Sequence, residues 1–213
     1  MPDTITQLVC FDLGGVLIRL AQDWQDAFNQ AGVAYPASME DPAVRKKLAE
    51  LVCKEEVGAM GESGFFSAVS ELTQVSADAL VGVSDCYLCG AFAGIDALLD
   101  DLANAGIQTA CLSNTNANHW AAMTEPEHRN GLPLHRMNYR FASQLIGHRK
   151  PDPGIYRHVE QTTGLASSAI LFFDDLIPNL DTARSRGWHA EHITCPDNPV
   201  SQIRDYLIIH GVL

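Results

Sequence analysis

The chain contains 213 residues, of which 46% are hydrophobic and 19% are charged, a composition typical of a soluble globular protein. Its formal net charge at pH 7 is −12, because 26 acidic residues outnumber 14 lysines and arginines. This negative charge repels phosphate backbones and anionic lipid headgroups, so we expect neither nucleic acid nor a membrane as a partner. No apolar run reaches the length of about 18 residues that would predict a membrane span, and the sequence does not indicate an oligomeric state.

The N-terminus and the cysteines indicate a compartment. The stretch from Met1 to Thr4 has neither the basic nor the apolar region of a signal peptide. Of the six cysteines, Cys10 and Cys111 fall within apolar, strand-like runs, where a free thiol packs as a small hydrophobic group. Because no disulfide framework is evident, we predict a reducing, cytoplasmic location.

Short apolar runs alternate with amphipathic helical patterns in most of the chain. The predicted strands cover residues 8–11, 107–112, 139–143 and 170–173, and the predicted helices cover 95–105, 153–163, 179–186 and 199–209. Asp152 is the expected N-cap of the helix 153–163, and Gly164 is its expected end. The alternation predicts an α/β fold with a parallel sheet covered by helices on both faces.

The segment 19–92 differs, because its apolar residues recur only at helical spacing. Trp24 and Phe28 begin the pattern, and Leu48, Phe65 and Leu80 belong to later helices. No strand pattern interrupts these helices, and glycines and prolines separate them. We therefore predict a helical module over 19–92, inserted into an α/β core formed by 1–18 and 93–213, with hinges at 18–20 and 91–94.

Polar residues follow three of the predicted strands directly. Asp12 follows the first strand, Ser113 and Asn114 follow the strand 107–112, and Asp174 and Asp175 follow the strand 170–173. A charge at the end of a buried strand is costly unless it is paired or bound to a metal. The carboxyl ends of strands in an open α/β sheet share one crevice, so these groups should converge there.

Converging carboxylates need positive charge nearby. Oxygen ligands without histidine favour Mg²⁺ over zinc, so Asp12, Asp174 and Asp175 predict a magnesium site; alternatively, the acidic pair only caps the next helix. Lys150, held by the prolines that follow it, is either the cation for an anionic substrate or a solvated loop charge. Ser113 and the residues after it open a helix, where they bind an anion or form an ordinary N-cap.

At this point the sequence resembles the haloacid dehalogenase-like hydrolase superfamily, because all four of its motifs occur in order between residues 8 and 192. These segments are Asp12-Leu13-Gly14-Gly15-Val16, Leu112-Ser113-Asn114-Thr115, Lys150-Pro151, and Phe173-Asp174-Asp175 with Asn179. They are especially similar to the branch with the bacterial alpha-D-glucose-1-phosphate phosphatases, and the phosphatase domain of soluble epoxide hydrolases is a more distant relative. The resemblance implies a Rossmann-like core and identifies 19–92 as a C1-type helical cap.

The resemblance also implies a mechanism, which is phosphoryl transfer from a small phosphorylated metabolite through an aspartyl-phosphate. Asp12 would attack phosphorus, and Ser113 and Asn114 would hold the phosphoryl oxygens. Mg²⁺ would contact Asp12, the backbone carbonyl of Gly14, Asp175 and a phosphate oxygen, with Asp174 supporting these ligands from behind. Lys150 would neutralise charge that otherwise repels the nucleophile from the substrate.

Gly14 departs from the family pattern, because most phosphatases of this superfamily carry a second aspartate there as general acid and base. Glycine keeps the backbone carbonyl for the metal but removes a proton donor, a role typically worth ~10²–10⁴-fold in rate. The substrate then has a good leaving group, such as a sugar 1-phosphate, or another group transfers the proton, or turnover is slow. His119 and Trp120 follow the phosphate motif and either flank the substrate or pack within the fold.

Two other functions remain open from the sequence. A degenerate member of the superfamily would bind a ligand or partner without turnover, and Gly14 is the feature in its favour. A 2-haloacid dehalogenase would use the Asp12 nucleophile without Mg²⁺, and the Asp174–Asp175 pair argues against it. Dependence on metal and turnover of phosphate esters discriminate among the three.

Overall fold

The computed structural model describes residues 6–213. The residues from Met1 to Thr4, on which the expectation of no signal peptide depends, lie outside this part. Within it, no helix is long and apolar enough to cross a membrane. The described strands are β1 (Leu8–Phe11), β2 (Ile18–Leu20), β3 (Leu88–Ala91), β4 (Gln108–Ser113), β5 (Tyr139–Ala142), β6 (Ile170–Asp174) and β7 (His189–His192).

Seven of the ten described α-helices begin at a side-chain cap or have a proline in their first turn. They are α1 (Trp24–Gln30), α2 (Pro42–Glu56), α3 (Glu62–Thr73), α4 (Ala77–Tyr87), α5 (Ile95–Asn104), α6 (Ala117–Thr124), α7 (Ser143–Ile146), α8 (Pro153–Thr163), α9 (Ile177–Ser185) and α10 (Pro199–Ile209). Asp152 caps α8 by accepting a hydrogen bond from the Gly154 N–H, and Gly164 ends it in the left-handed conformation. The capping prediction for this helix is therefore confirmed.

Five strands form one parallel sheet in the order β5-β4-β1-β6-β7. Side chains alternate across β1, so Leu8 and Cys10 join one apolar cluster while Val9 and Phe11 join another. Helices α8 and α9 cover the first face, and α5 and α10 cover the second. The predicted α/β class, with a parallel sheet between helical layers, is confirmed.

Helices α1–α4 lie between β2 and β3 in the chain and share an apolar cluster of their own, which includes Phe28, Leu48, Phe65 and Leu80. The prediction of an uninterrupted helical pattern over 19–92 is wrong at its ends, because β2 and β3 pair as an antiparallel two-stranded sheet. Strand β2 has only three residues, too few to show an alternation, and β3 follows α4 without a break, so neither was recognised in the sequence. We call residues 19–92 the cap below, as a name for the predicted module.

Candidate active site

Asp12 lies immediately after the central strand β1, where its side chain is 11% exposed. Its Oδ1 accepts a hydrogen bond of 2.6 Å from the backbone N–H of Leu13. The Nζ of Lys150 lies 2.8 Å from the same oxygen. A buried carboxylate is thus oriented by one backbone donor and paired with one ammonium group, which fixes both its position and its charge partner.

Lys150 joins the ends of two neighbouring strands, because its Nζ also lies 2.7 Å from Oδ2 of Asp174. Asp174 is fully buried at the end of β6 and accepts further hydrogen bonds from the side chain of Asn179 and the N–H of Leu176. Helix α9 begins three residues after Asp174 with no side-chain cap. The alternative that the acidic pair only caps this helix is therefore wrong.

Asp175 completes a group of three carboxylates. Oxygen atoms of Asp12, Asp174 and Asp175 lie within 4.8 Å of one another, the one such group of potential ligands in residues 6–213. Lys150 is the single ammonium group within ion-pair distance of these carboxylates among the described residues. Three acidic side chains against one lysine leave excess negative charge, and their oxygen atoms are ligands that suit Mg²⁺.

The pKa values of these side chains reflect burial and mutual charge. Burial raises the pKa of Asp12 to about 7, with Asp174 and Asp175 adding to the rise and Lys150 opposing it. Burial also raises the pKa of Asp175, and the charge of Asp174 adds to it. For Lys150, burial lowers the pKa, but the attraction of Asp12 and Asp174 outweighs it and the pKa lies above its usual value. The lysine is therefore charged, and it offsets only part of the burial and mutual repulsion that raise the pKa values of Asp12 and Asp175.

Two glycines shape the turn after Asp12. Gly15 has a φ of 69°, and a Cβ there would lie 2.6 Å from Oδ2 of Asp175. Only glycine allows both this backbone conformation and this approach. At Gly14, a Cβ would lie 2.9 Å from Cδ1 of Leu20. The space that a side chain at position 14 would occupy is therefore taken by the end of the flexible Leu20 side chain.

Ser113 and Asn114 end β4 beside this cluster. The side chain of Asn114 makes two hydrogen bonds to the backbone of Lys150, accepting from its N–H at 2.8 Å and donating to its carbonyl at 2.9 Å. The Asn114 amide thus holds the lysine segment in place. Helix α6 begins three residues later and is capped by Asn116. The ordinary N-cap interpretation applies to Asn116, whereas Ser113 and Asn114 lie before the cap.

A cavity of about 750 Å³ opens above these residues, between the strand ends and the cap. Asp12, Gly14, Ser113, Asn114, Lys150 and Asp175 all line it, together with Asn179. Asp174 lies behind them and does not reach the cavity. The sequence prediction that residues from three strand ends converge on one crevice therefore agrees with the described geometry.

The cap contributes polar groups that the sequence analysis missed. Glu55 of α2 accepts a hydrogen bond of 3.3 Å from Asn116, and Glu56 accepts one of 2.7 Å from Arg149. Both glutamates and Arg149 line the cavity. Adjacent glutamates on a helix are typical of a solvated face, so no local signal distinguished them. For Arg149, its position next to Lys150 in the sequence was the one indication that it lies at the cavity.

Aromatic rings form another wall of the cavity. The ring of Tyr87 stacks against His119 with centroids 6.2 Å apart, and Trp24 packs on Tyr87 at 5.4 Å. His119 lines the cavity, and its Nε2 lies 2.9 Å from the carbonyl of Ser84. Trp120 instead packs against the apolar cluster beside the sheet. Of the two residues considered as substrate neighbours, only His119 is at the cavity.

A model of the haloacid dehalogenase-like hydrolases matches residues 6–187, which include all the strand ends that carry Asp12, Ser113 and Asp174. The chain belongs to the haloacid dehalogenase-like hydrolase family. The resemblance seen in the four motifs is thereby confirmed at the level of the superfamily, and the chain is a hydrolase. The family assignment does not extend to one branch or one substrate.

Solved structures of haloacid dehalogenase-like (HAD) proteins share this fold. A HAD family enzyme from Bacteroides thetaiotaomicron matches with a TM-score of 0.79 at 22% identity, over 94% of this chain and 98% of the other. A HAD-like hydrolase from Porphyromonas gingivalis gives 0.77 at 25% identity, over 96% and 98% of the two chains. The L-2-haloacid dehalogenase from Xanthobacter autotrophicus gives 0.61 at 19% identity, over 89% and 78%.

Similarity to curated members and relatives of the family is more local. A phosphatase of Mycobacterium tuberculosis is 39% identical over 50 residues, which is 24% of this chain and 23% of the relative. The mouse acyl-CoA dehydrogenase family member 10 is 35% identical over 104 residues, which is 48% of this chain and 9% of the relative. The chain thus matches less than a quarter of the length of either relative.

Proposed function

We propose that this chain is a magnesium-dependent phosphatase that hydrolyses a small phosphomonoester through an aspartyl-phosphate at Asp12. The observation that carries the proposal is the position of Lys150, within 2.8 Å of Asp12 and 2.7 Å of Asp174 at the floor of the cavity. A carboxylate approaches an anionic phosphate only where positive charge offsets the repulsion. At the floor of the cavity, Lys150 supplies one positive charge, and the carboxylates of Asp12, Asp174 and Asp175 suit a metal cation as the second.

Magnesium is the cofactor that the donor set supports. Asp12, Asp175 and the backbone carbonyl of Gly14 would hold the ion, and Asp174 would support them through its bond to Lys150. When bound, the ion would reduce the negative charge of the phosphate and of the carboxylates. In support, the HAD family enzyme from Bacteroides thetaiotaomicron has also been solved with magnesium and inorganic phosphate, at a TM-score of 0.74 and 22% identity.

The chain's own groups divide the remaining work. The free oxygen of Asp12 attacks phosphorus, while Lys150 holds the other oxygen and neutralises charge. The hydroxyl of Ser113 and the backbone N–H of Asn114 bind phosphoryl oxygens, since the Asn114 side chain is occupied by Lys150. The cap limits the access of bulk water to this site, which strengthens each of these interactions.

We propose a sugar phosphate, with sugar 1-phosphates first, as the substrate class. The cavity of about 750 Å³ has room for a sugar phosphate. Its walls combine polar groups, such as Glu56 and Arg149, with the rings of Trp24 and Tyr87, which suits a molecule that has both hydroxyl groups and an apolar face. The cytoplasmic location and the exclusion of nucleic acid and membranes also remain predictions.

The test compares the wild-type chain with Asp12→Asn on p-nitrophenyl phosphate and a panel of sugar phosphates, with MgCl₂ and with EDTA. We expect hydrolysis by the wild type with Mg²⁺ only, and none by Asp12→Asn. Asp181→Asn, at an exposed position outside the cavity, is the matched control and should keep full activity. Unchanged activity of Asp12→Asn would exclude this mechanism. Halide release from 2-haloacids without metal would favour the dehalogenase, and Mg²⁺ binding without turnover would favour the degenerate binding protein.

A further inference from the structure

Glu55 is a buried carboxyl group that the cap presents to the cavity. It lies near the end of α2, is 6% exposed, and lines the same cavity as Asp12. Its Oε2 accepts one hydrogen bond, of 3.3 Å, from Nδ2 of Asn116, across the boundary between the cap and the strand ends. Within residues 6–213, no lysine, arginine or histidine lies within ion-pair distance of it. A carboxyl group that is buried without a cation is costly to keep ionised, so it holds a proton more readily than an exposed glutamate does.

The protonation of Glu55 suits proton transfer near neutral pH. Burial raises its pKa to about 7, the hydrogen bond from Asn116 opposes the rise, and the charges of Glu56 and Glu62 add to it. An acid–base group works best when its pKa is near the operating pH, because both forms are then populated. The only other cavity carboxyls among the described residues belong to Glu56 and to the acidic cluster of Asp12 and Asp175.

The other titratable groups at the cavity are already committed. Glu56 is paired with Arg149 at 2.7 Å, and Lys150 is paired with two carboxylates. The Sγ of Cys53, which also lines the cavity, accepts a hydrogen bond of 3.4 Å from Arg149. Burial lowers the pKa of His119, and its Nε2 is held by Ser84. Burial raises the pKa of Tyr87, and Arg45 carries a guanidinium, which does not release its proton. Glu55 is therefore the cavity carboxyl outside the acidic cluster that is free of a cation.

We propose that Glu55 is the general acid and base of this enzyme, and that it takes the role which an acidic side chain at position 14 would otherwise have. The proposal rests on the proposed phosphatase function. It also explains why Leu20 fills the space beside Gly14. A chain that supplies the proton from the cap needs no carboxyl group at position 14.

Glu55 donates a proton in the first half-reaction and accepts one in the second. In the first, an oxygen of Asp12 attacks phosphorus, the bond between phosphorus and the ester oxygen breaks, and protonated Glu55 gives its proton to that oxygen, so that the alcohol leaves. In the second, ionised Glu55 takes a proton from water as the water oxygen attacks phosphorus. The bond from phosphorus to Asp12 then breaks, which releases inorganic phosphate and restores both side chains.

The decisive experiment is a leaving-group series with Glu55→Gln, assayed with Mg²⁺ on p-nitrophenyl phosphate and on alkyl phosphates. Glutamine keeps an oxygen that accepts the hydrogen bond from Asn116, but its amide group does not transfer a proton. We compare kcat/KM, which reports the steps up to formation of the aspartyl-phosphate, where the ester oxygen leaves. We expect kcat/KM on alkyl phosphates to fall by ~10²–10⁴-fold, and kcat/KM on p-nitrophenyl phosphate to fall less than about 10-fold, because that leaving group needs no proton. The control is Glu50→Gln, an exposed position on the same helix, which should change neither rate.

A pH profile of the wild type gives a second measurement that needs no variant. The rate on alkyl phosphates should fall as the pH rises above about 7, because Glu55 then loses its proton. The rate on p-nitrophenyl phosphate should not show this fall. Equal losses of kcat/KM on both substrate types in Glu55→Gln, or no loss, would overturn the role of Glu55 even if Asp12→Asn is inactive. A wild type without any Mg²⁺-dependent phosphatase activity would instead overturn the proposed function, and this inference with it.

Discussion

Nζ of Lys150 lies 2.8 Å from Oδ1 of Asp12, and both groups are buried at the floor of the cavity. The same ammonium group pairs with Asp174, so one lysine compensates two carboxylates that come from two different strands. Removing one member of a buried pair is far more costly than the pair is worth, because it leaves an uncompensated charge. Lys150 is therefore part of the site, and it also stabilises the folded chain.

Lys150→Met should lower the free energy of unfolding at pH 7 by about 3–5 kcal/mol, measured by urea denaturation in EDTA. The loss should be smaller at pH 5, because Asp12, whose pKa burial raises to about 7, then carries a proton and needs no charge partner. Lys47→Met is the control, since Lys47 pairs with Glu50 at the surface and should cost less than about 1 kcal/mol. Equal losses in the two variants would contradict the compensation of charge by Lys150.

Gly15→Ala should damage the metal site beyond its effect on the backbone. The substituted residue would need a φ of 69°, and its Cβ would collide with Asp175. We expect a fall of about 10-fold or more in Mg²⁺ affinity, measured by calorimetry.

Gly106→Ala is a matched control for Gly15→Ala, because Gly106 has a φ of 74° but no atom near its Cβ position. Both variants should lose about 1 kcal/mol of stability from backbone strain. Only Gly15→Ala should lose Mg²⁺ affinity. Equal Mg²⁺ affinity in the two variants would show that the contact between Gly15 and Asp175 does not shape the site.

Gly14→Asp should restore proton transfer to an enzyme that lacks Glu55. Because a Cβ at position 14 would meet Leu20 at 2.9 Å, the substitution is best combined with Leu20→Ala. In the Glu55→Gln background, this pair should raise the rate on alkyl phosphates by about 10-fold or more and change the rate on aryl phosphates little. Leu20→Ala without Gly14→Asp is the control. A gain that is equal for both leaving groups would show that the new carboxyl does not act as an acid.

The pKa of Glu55 has a consequence for stability that does not depend on catalysis. The folded chain keeps a proton on Glu55 up to about pH 7, while the unfolded chain releases it near the usual value of 4.5. Stability from this group therefore falls as the pH rises from 4.5 to 7, and the cost is complete above 7. Glu55→Gln should match the wild type at pH 4.5 and exceed its unfolding free energy by roughly 1–3 kcal/mol at pH 8. A difference that does not change with pH would contradict the raised pKa.

Most of the core and of its site was predictable from sequence, because the signals are local. Strand β1 and helices α8 and α10 have the predicted bounds. A buried apolar run that ends in Asp12 or Asp174 is itself the sign of a strand end. Parallel pairing then brings such ends together, so their convergence follows from fold class alone.

The features that the sequence did not reveal depend on contacts between distant segments. Glu55 accepts its hydrogen bond from Asn116, 61 residues later in the chain. The side chain of Asn114 faces the backbone of Lys150 across 36 residues, so its role in holding the lysine had no local signal. The short strands β2 and β3 form because each supplies the other with hydrogen bonds, which neither segment indicates by itself.

The covalent step at Asp12 is tested most directly by rapid acid quench during turnover of a ³²P-labelled sugar phosphate with Mg²⁺, followed by peptide mapping. We predict a phosphoryl group on the peptide that contains Asp12 in the wild type, which accumulates further in Glu55→Gln if release of phosphate becomes slower. Asp12→Asn should show no label. Turnover of the substrate without label on Asp12, or with label on another residue, would contradict the account.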